Sequence, residues 1–326
     1  METKTILVTG IGGNVGQGIV RNIRGTRYKA RIIGANITEF SAGNHLVDAF
    51  YKLPFGYELN YIPEIKKIIE KENVDLIISS TDFESYYLAL CQGELQCLVA
   101  GSESQTSGMY LDKYLTYLNH KTSKIAFAES CLPSNYKGQY SQALAKPRKG
   151  RGSKGLLFNI NDVSGLTDDE YMIQELHTGI EITSAVYRRY KDGEVHGIIS
   201  MERTLENGAT TYCKVVTEYD NEVIKIAQSM CENNSGLKGS FNIQSIAKSN
   251  GEVIPFEVNC RISGTNSIRA AFGFKDVQYT IEELLWNIEP EKPIITNGVA
   301  YRYLTDVIYA NSEVLNGTNT DNFILF

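Results

Sequence analysis

The sequence lacks most of the features that mark secreted, membrane or nucleic-acid-binding proteins. Its six cysteines are scattered and include no C-x-x-C pair, which argues against a zinc site or a disulfide framework. No apolar run approaches the ~20 residues of a membrane span, and the N-terminal residues show no signal-peptide pattern. The formal net charge of -6 argues against non-specific nucleic-acid binding. We therefore expect a cytoplasmic protein with reduced thiols and with no nucleic-acid or membrane partner.

The composition is that of an ordinary globular chain. Hydrophobic residues make up 42% of the 326 residues and charged residues 21%. A chain of this length predicts two or three domains, each with its own core.

The N-terminal segment reads as a strand, a glycine turn and a helix. TILVT, residues 5–9, is a buried parallel-type strand, the glycine-rich residues 10–16 follow, and a helical pattern runs to about Ile23. A helix N-terminus in this context can hold a phosphate. The next strand, ARIIGAN, ends in Asn36 rather than in the acid that would bind an NAD ribose. The alternative is that the glycines permit only a tight turn and close packing.

Two acidic residues follow a second apolar strand. Asp82 and Glu84 come directly after VDLIIS, at the carboxyl end of a strand, where ligands collect in open parallel sheets. We expect both to face a cleft. Asp82 is also a candidate N-cap for the helix that follows, and capping is the commoner role.

A basic, glycine-rich loop lies near the middle of the chain. The segment KPRKGRGSKG, residues 146–155, lacks the spacing of a Walker A loop. Glycine backbone with lysine and arginine around it is a suitable anion cradle. Three interpretations remain open: a loop that covers phosphates, a nucleic-acid patch, and a solvated turn.

A predicted hairpin carries the strongest chemical pattern. Two strands are joined at Asn250 and Gly251, the dipeptide most typical of a tight hairpin turn. A two-residue loop there sets Gln244 opposite Glu257 and puts Pro255 where no ladder hydrogen bond is lost. Because strand side chains alternate, Glu257, Asn259 and Arg261 share one face. Carboxylate and amide oxygens suit Mg²⁺, and the arginine suits phosphate. The alternative is a solvated polar face.

These motifs, in this order, resemble the ATP-grasp superfamily, and most closely its carbamoyl-phosphate-synthase-like and biotin-carboxylase-like branch. The resemblance implies an α/β (α+β) fold with three parts: a Rossmann-like pre-ATP-grasp domain at 1–109, a mobile lid with the glycine-rich loop at 110–175, and a catalytic body with the metal hairpin at 176–326. Cys260, where a small residue or proline is more usual, departs from the family pattern but faces away from the predicted site.

The resemblance also implies a function. A family member of this type uses ATP and Mg²⁺, or Mn²⁺, to convert a substrate carboxylate into an acyl-phosphate, with release of ADP. An amine then displaces the phosphate. The partners are small-molecule carboxylates and amines, and homodimers are common in the family.

Site residues follow from the same resemblance. The metal ligands are Gln244, Glu257 and Asn259, and Arg261 meets the transferring phosphoryl group. Nucleotide contacts are assigned to Lys113, Lys146, Gly150, Gly152, Ser153, the hinge residues Gln174, Glu175 and Leu176, and the ribose acid Glu181. Lys146 and Arg269 complete the catalytic set, Arg269 because it closely follows the metal strand. Arg203 and Lys214 are candidates for an acidic substrate, although lone basic residues on strands usually lie at the surface.

Other functions remain open at this stage. One is an ATP-dependent phosphotransfer or carbamate-forming enzyme that ligates no amine. Another is a non-catalytic nucleotide-binding protein, and a third is an NAD-linked oxidoreductase, which depends on the first glycine loop alone. Fold-level analogy identifies neither the carboxylate nor the amine.

Overall fold

The computed structural model describes residues 3–150, 152, 154–158, 160, 162–206, 208–310 and 323–325. The first part of the chain folds as alternating strands and helices. Its elements are β1 (Lys4–Thr9), α1 (Asn14–Arg24), β2 (Ala30–Asn36), β3 (Ala49–Lys52), α2 (Tyr61–Glu72), β4 (Leu76–Ile78), α3 (Asp82–Leu90) and β5 (Leu98–Ala100). The strands form a parallel sheet in the order β3-β2-β1-β4-β5. We call it the parallel sheet.

Both faces of the parallel sheet are buried, which explains the continuous apolar runs of its strands. Ile6 and Val8 pack into the cluster that contains α1 residues, whereas Leu7 between them packs into the cluster that contains α2 residues. This two-sided burial is the expected Rossmann-like arrangement, in which ligands bind at the carboxyl ends of the strands.

The next part of the chain forms two helices and a small antiparallel sheet. Its elements are α4 (Ser104–Leu111), α5 (Lys113–Thr122), β6 (Ser130–Cys131), β7 (Ala143–Pro147), β8 (Leu157–Phe158) and β9 (Tyr171–Glu175). The strand order is β6-β9-β7-β8, and we call this the lid sheet. The basic, glycine-rich segment begins at the end of β7 and ends just before β8.

A larger antiparallel sheet completes the fold. Its elements and those that follow are β10 (Ile180–Arg188), β11 (Val195–Glu206), β12 (Ala209–Val216), α6 (Asp220–Asn233), β13 (Gly239–Ala247), β14 (Val253–Asn259), α7 (Asn266–Ala271), α8 (Asp276–Trp286), β15 (Val299–Tyr301), β16 (Val307–Ile308) and β17 (Ile324–Leu325). The body sheet has the order β14-β13-β10-β11-β12-β15. Val186 and Phe241 face α6 on one side, whereas Ala185 and Tyr187 pack with Phe274 and Tyr279 on the other.

The β13–β14 hairpin differs from the prediction in two ways that cancel. Ala247 pairs with Val253, and the Lys248 N–H donates to the Glu252 carbonyl at 2.8 Å, so the turn contains three residues, 249–251, rather than two. Gly251 has a φ of 88°. A register shift next to Gln244 then leaves Phe256 as an extra residue, a β-bulge. Gln244 consequently lies opposite Glu257, as predicted.

The start of α3 differs from the alternative in which Asp82 caps the helix. Thr81, not Asp82, is the N-cap, and its hydroxyl accepts a hydrogen bond from the Glu84 amide at 3.2 Å. The side chain of Asp82 is thereby left for another contact. None of the helices in the described part of the chain is both long and apolar enough to span a membrane.

Candidate active site

A cavity of about 450 Å³ lies where the parallel sheet, the lid sheet and the body sheet meet. The loops of the parallel sheet contribute Asn14, Val15, Ser80, Thr81, Asp82 and Phe83. The lid sheet and its loop contribute residues of 144–158 and 174–177, and the body sheet contributes polar side chains of β10, β11, β13 and β14. A cavity at the carboxyl ends of parallel strands and between structural units is a typical ligand site.

Part of the cavity wall is apolar, and we call this part the apolar slot. Leu144, Phe158 and Leu176 come from the lid sheet and its hinge, and Leu205 and Ile246 come from the body sheet. Apolar and aromatic walls suit a flat heteroaromatic ring. The slot thus has the lining that a nucleotide base requires.

Two hinge amides are already hydrogen-bonded within the protein. The Glu175 N–H donates to the Glu129 carbonyl at 2.8 Å, and the Leu176 N–H donates to the Gln142 carbonyl at 2.9 Å. His177, the residue after Leu176, also lines the cavity. A base would therefore meet the hinge through other backbone groups than these two N–H groups.

Lys146 is the buried cation of the site, with 3% of its surface exposed. Its ammonium donates to Gln174 Oε1 at 2.7 Å and to the Phe256 carbonyl at 2.8 Å. The β-bulge frees that carbonyl from the sheet ladder. Burial lowers the pKa of Lys146 to about 7, Glu257 partly opposes this decrease, and the charge of Lys113 adds to it.

Glu257 is the carboxylate at the centre of this face. Burial alone would raise its pKa, but the positive charges of Lys113, Lys146 and Arg261 and a hydrogen bond from Asn259 outweigh burial and lower the pKa. The Lys113 ammonium lies 3.9 Å from Glu257 Oε1 and donates to the Gly150 carbonyl at 3.1 Å. Lys113 thus ties the lid loop to the carboxylate.

Polar side chains of the body sheet form a chain of hydrogen bonds that ends on Glu257. Arg203 donates to Gln244 Oε1 at 2.5 Å, and Gln244 Nε2 donates to Asn259 Oδ1 at 3.0 Å. Asn259 Nδ2 donates to Glu257 Oε1 at 3.3 Å. We call this series the amide relay. Arg203 also pairs with Glu181, at 2.7 Å between the nearest atoms.

Arg261 joins the body sheet to the parallel sheet. Its Nε and Nη2 donate to Asp82 Oδ2 at 3.2 and 2.9 Å. Asp82 therefore faces the cleft, as predicted. Glu84 does not line the cavity, since its side chain is buried against Tyr61 and Thr81.

The cavity brings most of the predicted residues together. Lining residues among them are Lys113, Lys146, Gly150, Gly152, Gln174, Glu175, Leu176, Glu181, Gln244, Glu257, Asn259 and Arg261. Ser153 lies outside the described residues. The side chain of Gln174 holds Lys146 rather than facing a base.

Arg269 does not line the cavity, so the geometry does not support its place in the catalytic set. Its side chain is fully buried and forms an ion pair with Asp276. It also donates to Ser263 Oγ at 2.5 Å and to Thr265 Oγ1 at 3.1 Å. Arg269 thus fixes the loop after β14, which contributes Ser263 and Gly264 to the cavity wall.

Arg203 lines the cavity, although its position on a strand suggested a surface residue. It lies directly across from Glu181, since Ile182 pairs with Glu202 in the β10–β11 hairpin.

The donor set fits one magnesium ion held through Glu257. An ionised carboxylate is the hard oxygen ligand that Mg²⁺ takes together with substrate phosphates. Among the residues that the structure describes, no group of three or more His, Cys, Asp or Glu side chains could hold a metal by itself. A metal here would thus depend on the nucleotide as well as on the protein.

Comparisons with known proteins agree with this geometry. Residues 110–265 match the sequence model of the ATP-grasp domain family. No curated protein matches the chain. An N5-carboxyaminoimidazole ribonucleotide synthetase solved with ADP has a TM-score of 0.72 at 14% identity, over 99% of this chain and 92% of its own.

Two further solved structures share the fold. A putative ATP-grasp protein from Archaeoglobus fulgidus has a TM-score of 0.64 at 15% identity, over 99% of this chain and 98% of its own. An L-amino acid ligase from Bacillus licheniformis has a TM-score of 0.66 at 10% identity, over 90% of this chain and 75% of its own. Residues 110–265 therefore match an ATP-grasp domain, and the chain as a whole shares the fold of these solved structures.

Proposed function

We propose that the protein is an ATP- and Mg²⁺-dependent ligase that activates a substrate carboxylate as an acyl-phosphate, releases ADP, and joins the acyl group to an amine. The observation that carries this proposal is a single cavity in which Lys113, Lys146 and Arg261 surround Glu257. On one side lies an apolar slot, and on the other lie the loops of the parallel sheet.

The nucleotide would bind along the lid and body sheets. The base enters the apolar slot, and Glu181 lies on the body sheet where a ribose would follow. Lys113 and Lys146 meet the phosphates, and the backbone at Gly150 and Gly152 covers them. Phosphoryl transfer requires positioning and charge neutralisation more than covalent assistance, and this cavity supplies both.

Glu257 would hold the metal with the phosphate oxygens. Mg²⁺ at this position would neutralise charge on the phosphoryl group. Arg261, fixed by Asp82, aims its guanidinium at the end of the cavity where the substrate carboxylate would attack phosphorus. The carboxylate oxygen forms a bond to the γ-phosphorus as ADP leaves. The amine nitrogen then attacks the acyl carbon as phosphate and a proton leave.

The acceptor end of the cavity lies against the parallel sheet. Asn14, Ser80, Thr81 and Ser263 offer polar groups there, and Phe83 offers an apolar surface. The similar proteins are named for a ribonucleotide and for amino acids, so small-molecule acceptors are consistent with the fold.

The test measures release of ADP, AMP and phosphate from Mg²⁺-ATP with pools of carboxylates, each with and without a pool of amines. ADP and phosphate that rise only when both pools are present support the ligase, and Glu257→Ala should abolish the signal. ADP from a carboxylate alone would instead indicate phosphotransfer without ligation. AMP would contradict the acyl-phosphate mechanism. ATP binding without turnover in any pool would favour a nucleotide-binding protein.

A further inference from the structure

Three aromatic rings form a row between the acceptor end of the cavity and the protein surface. Phe83 lines the cavity, and its ring meets the Tyr57 ring edge to face, with centroids 5.5 Å apart and planes at 68°. Tyr57 lies parallel to Phe55, with centroids 5.3 Å apart and planes at 5°. We call these three residues the aromatic shelf. Tyr57 is 50% exposed, so the shelf leads from the cavity wall to solvent.

The aromatic shelf lies outside the core of the parallel sheet. None of its three rings belongs to the hydrophobic clusters that cover the two faces of this sheet. Burial in the core therefore does not explain why three rings gather at this rim. Apolar surface that is grouped and partly exposed marks a binding site more often than a single exposed residue does.

Backbone contacts hold the two parts of the shelf together. Phe55 and Tyr57 lie in the loop between β3 and α2, where the Glu58 N–H donates to the Phe55 carbonyl at 2.9 Å and Glu58 Oε1 accepts from the Phe55 N–H at 3.1 Å. Gly56 lets this turn lie directly on the start of α3, since a Cβ on Gly56 would be 3.2 Å from the Glu84 amide nitrogen. A ligand that stacks on the shelf consequently has few protein groups left to order.

The parallel sheet gives the cavity an almost neutral wall. Its contributions are Asn14, Val15, Ser80, Thr81, Asp82 and Phe83. Asp82 is the one ionised side chain among them, and the Arg261 guanidinium neutralises it at 2.9 Å. A second anionic group on the substrate, such as a phosphate, would meet no cationic side chain among these residues, whereas an uncharged ring would meet the apolar surface of Phe83.

We propose that the aromatic shelf binds the group attached to the substrate carboxylate, so that the preferred acid carries an aromatic ring and no second anionic group. The inference rests on the proposed function, which places the substrate carboxylate at Arg261. Phe83 directly follows Asp82, the partner of Arg261, and both line the cavity. A ring attached to that carboxylate is therefore within reach of the shelf, where stacked or edge-to-face contacts favour a flat aromatic group.

The test compares acids that differ only in the ring. Phenylacetate, 3-phenylpropionate and phenylalanine are each compared with their cyclohexyl counterpart, and phosphonoacetate represents an acid with a second anionic group. Dissociation constants are measured by NMR titration in the presence of Mg²⁺ and a non-hydrolysable ATP analogue. We expect at least one aromatic acid to bind roughly 2- to 10-fold more tightly than its counterpart, and phosphonoacetate to bind most weakly. Equal affinities within every pair, tighter binding of phosphonoacetate, or no binding of any aromatic acid would overturn the proposal.

Variants locate the preference for the ring. Phe83→Leu keeps an apolar wall but removes the ring, and we expect both members of a pair to bind it equally. Tyr57→Leu should narrow the difference, and it tests the shelf even if Phe83→Leu fails to fold. Tyr87→Leu is the matched control, because it removes a ring from the same helix outside the cavity lining, and it should keep the full preference. An unchanged preference in both shelf variants, or its loss in the control, would overturn the role of the shelf.

The shelf and the ligase can fail separately, because the NMR titration requires no turnover. If aromatic acids bind as expected but release no ADP with any amine, the ligase is wrong and the shelf remains a ligand site. If ADP release depends on an acid and an amine but is fastest with aliphatic or phosphorylated acids, the ligase stands and the assignment of the shelf is wrong.

Discussion

At the scale of single residues, Lys146 shows how burial sets the chemistry of the site. An ordinary lysine is fully charged at neutral pH, but Lys146 has a pKa of about 7 because the fold removes it from water. In the free protein its amine is consequently half neutral near that pH. Phosphate oxygens favour the charged form, so nucleotide binding should raise the pKa.

The first prediction is that nucleotide binding takes up a proton at alkaline pH. At pH 8 the free protein leaves Lys146 mostly neutral, so binding of an ATP analogue should take up about one proton, and at pH 6 almost none. Isothermal titration calorimetry at each pH, in two phosphate-free buffers of different ionisation enthalpy, measures this number. The control is Lys146→Met, which should abolish the uptake. Equal uptake at both pH values would contradict the assignment.

The second prediction concerns Arg269, which the structure gives a role in stability. Arg269→Met leaves the fully buried Asp276 without its partner and should destabilise the protein by about 3–5 kcal/mol. The double variant with Asp276→Asn removes the unpaired charge and should recover part of the loss. Urea denaturation measures both. At temperatures and urea concentrations below the unfolding transition, the affinity of the variant for an ATP analogue should stay close to that of the wild type. A large loss of affinity would indicate that Arg269 contributes to nucleotide binding after all.

These residues show what sequence could and could not indicate. Period-two alternation placed Glu257, Asn259 and Arg261 on one face, because that rule depends only on strand geometry. Arg269 could not be placed in this way. It lies on the short helix α7, and whether its side chain turns to the cavity or to the core depends on Asp276, seven positions further along.

At the scale of elements, the β13–β14 hairpin shows why a correct pairing can have an unexpected cause. The predicted turn was one residue too short, and the predicted ladder lacked the bulge at Phe256. Asn-Gly favours a two-residue turn, but Gly251 also suits the left-handed position of a three-residue turn. The sequence contains no pattern that predicts the bulge, yet the carbonyl of the bulged residue Phe256 accepts a hydrogen bond from Lys146.

The third prediction tests this turn. Gly251 has a φ of 88°, and a Cβ built there meets no atom within 4 Å. Gly251→Ala should therefore lower the free energy of unfolding only through backbone strain, by about 1–2 kcal/mol. Gly251→Asn should lose less, since asparagine tolerates the left-handed region better. Thermal unfolding compares the two variants. A neutral Gly251→Ala, or a greater loss for asparagine, would be inconsistent with the three-residue turn.

Regular elements were easier to predict than their ends. Residues 30–36 form a strand and Asn14–Arg24 a helix as the patterns indicated, because the apolar pattern extends over each element. The cap of α3 was harder, since Thr81 and Asp82 are both good caps and the contact of Asp82 with Arg261 selects between them.

At the scale of the whole molecule, the cavity is a joint product of three sheets. Asp82 at the end of the parallel sheet holds Arg261 at the end of the body sheet. The order of the motifs along the chain indicated this assembly. Sequence alone could not reveal that Asp82 would orient the arginine assigned to the phosphoryl group.

The fourth prediction follows from this contact. Asp82→Asn removes the charge that orients Arg261 and should lower kcat by roughly 10- to 100-fold, because small misplacements of catalytic groups are costly. Affinity for ADP should change little, since ADP lacks the phosphoryl group that Arg261 meets. Steady-state kinetics and ADP titration separate the two effects. Asp168→Asn is the matched control, because Asp168 is a half-buried residue outside the cavity lining that accepts hydrogen bonds from Ser134. An equal effect of both variants would contradict the role of Asp82.

The pairing of Asp82 with Arg261 joins residues 179 positions apart and so has a consequence for folding. Contacts of such long range form after local ones, because closing a long loop loses chain entropy before the new contact contributes any favourable free energy. During synthesis the strands of the parallel sheet are made before Arg261, so Asp82 can form this ion pair only after residue 261 has been synthesised. A nucleotide that contacts both ends of the cavity would therefore bind only molecules in which this long-range contact has formed. Its binding would report completion of folding rather than the initial hydrophobic collapse.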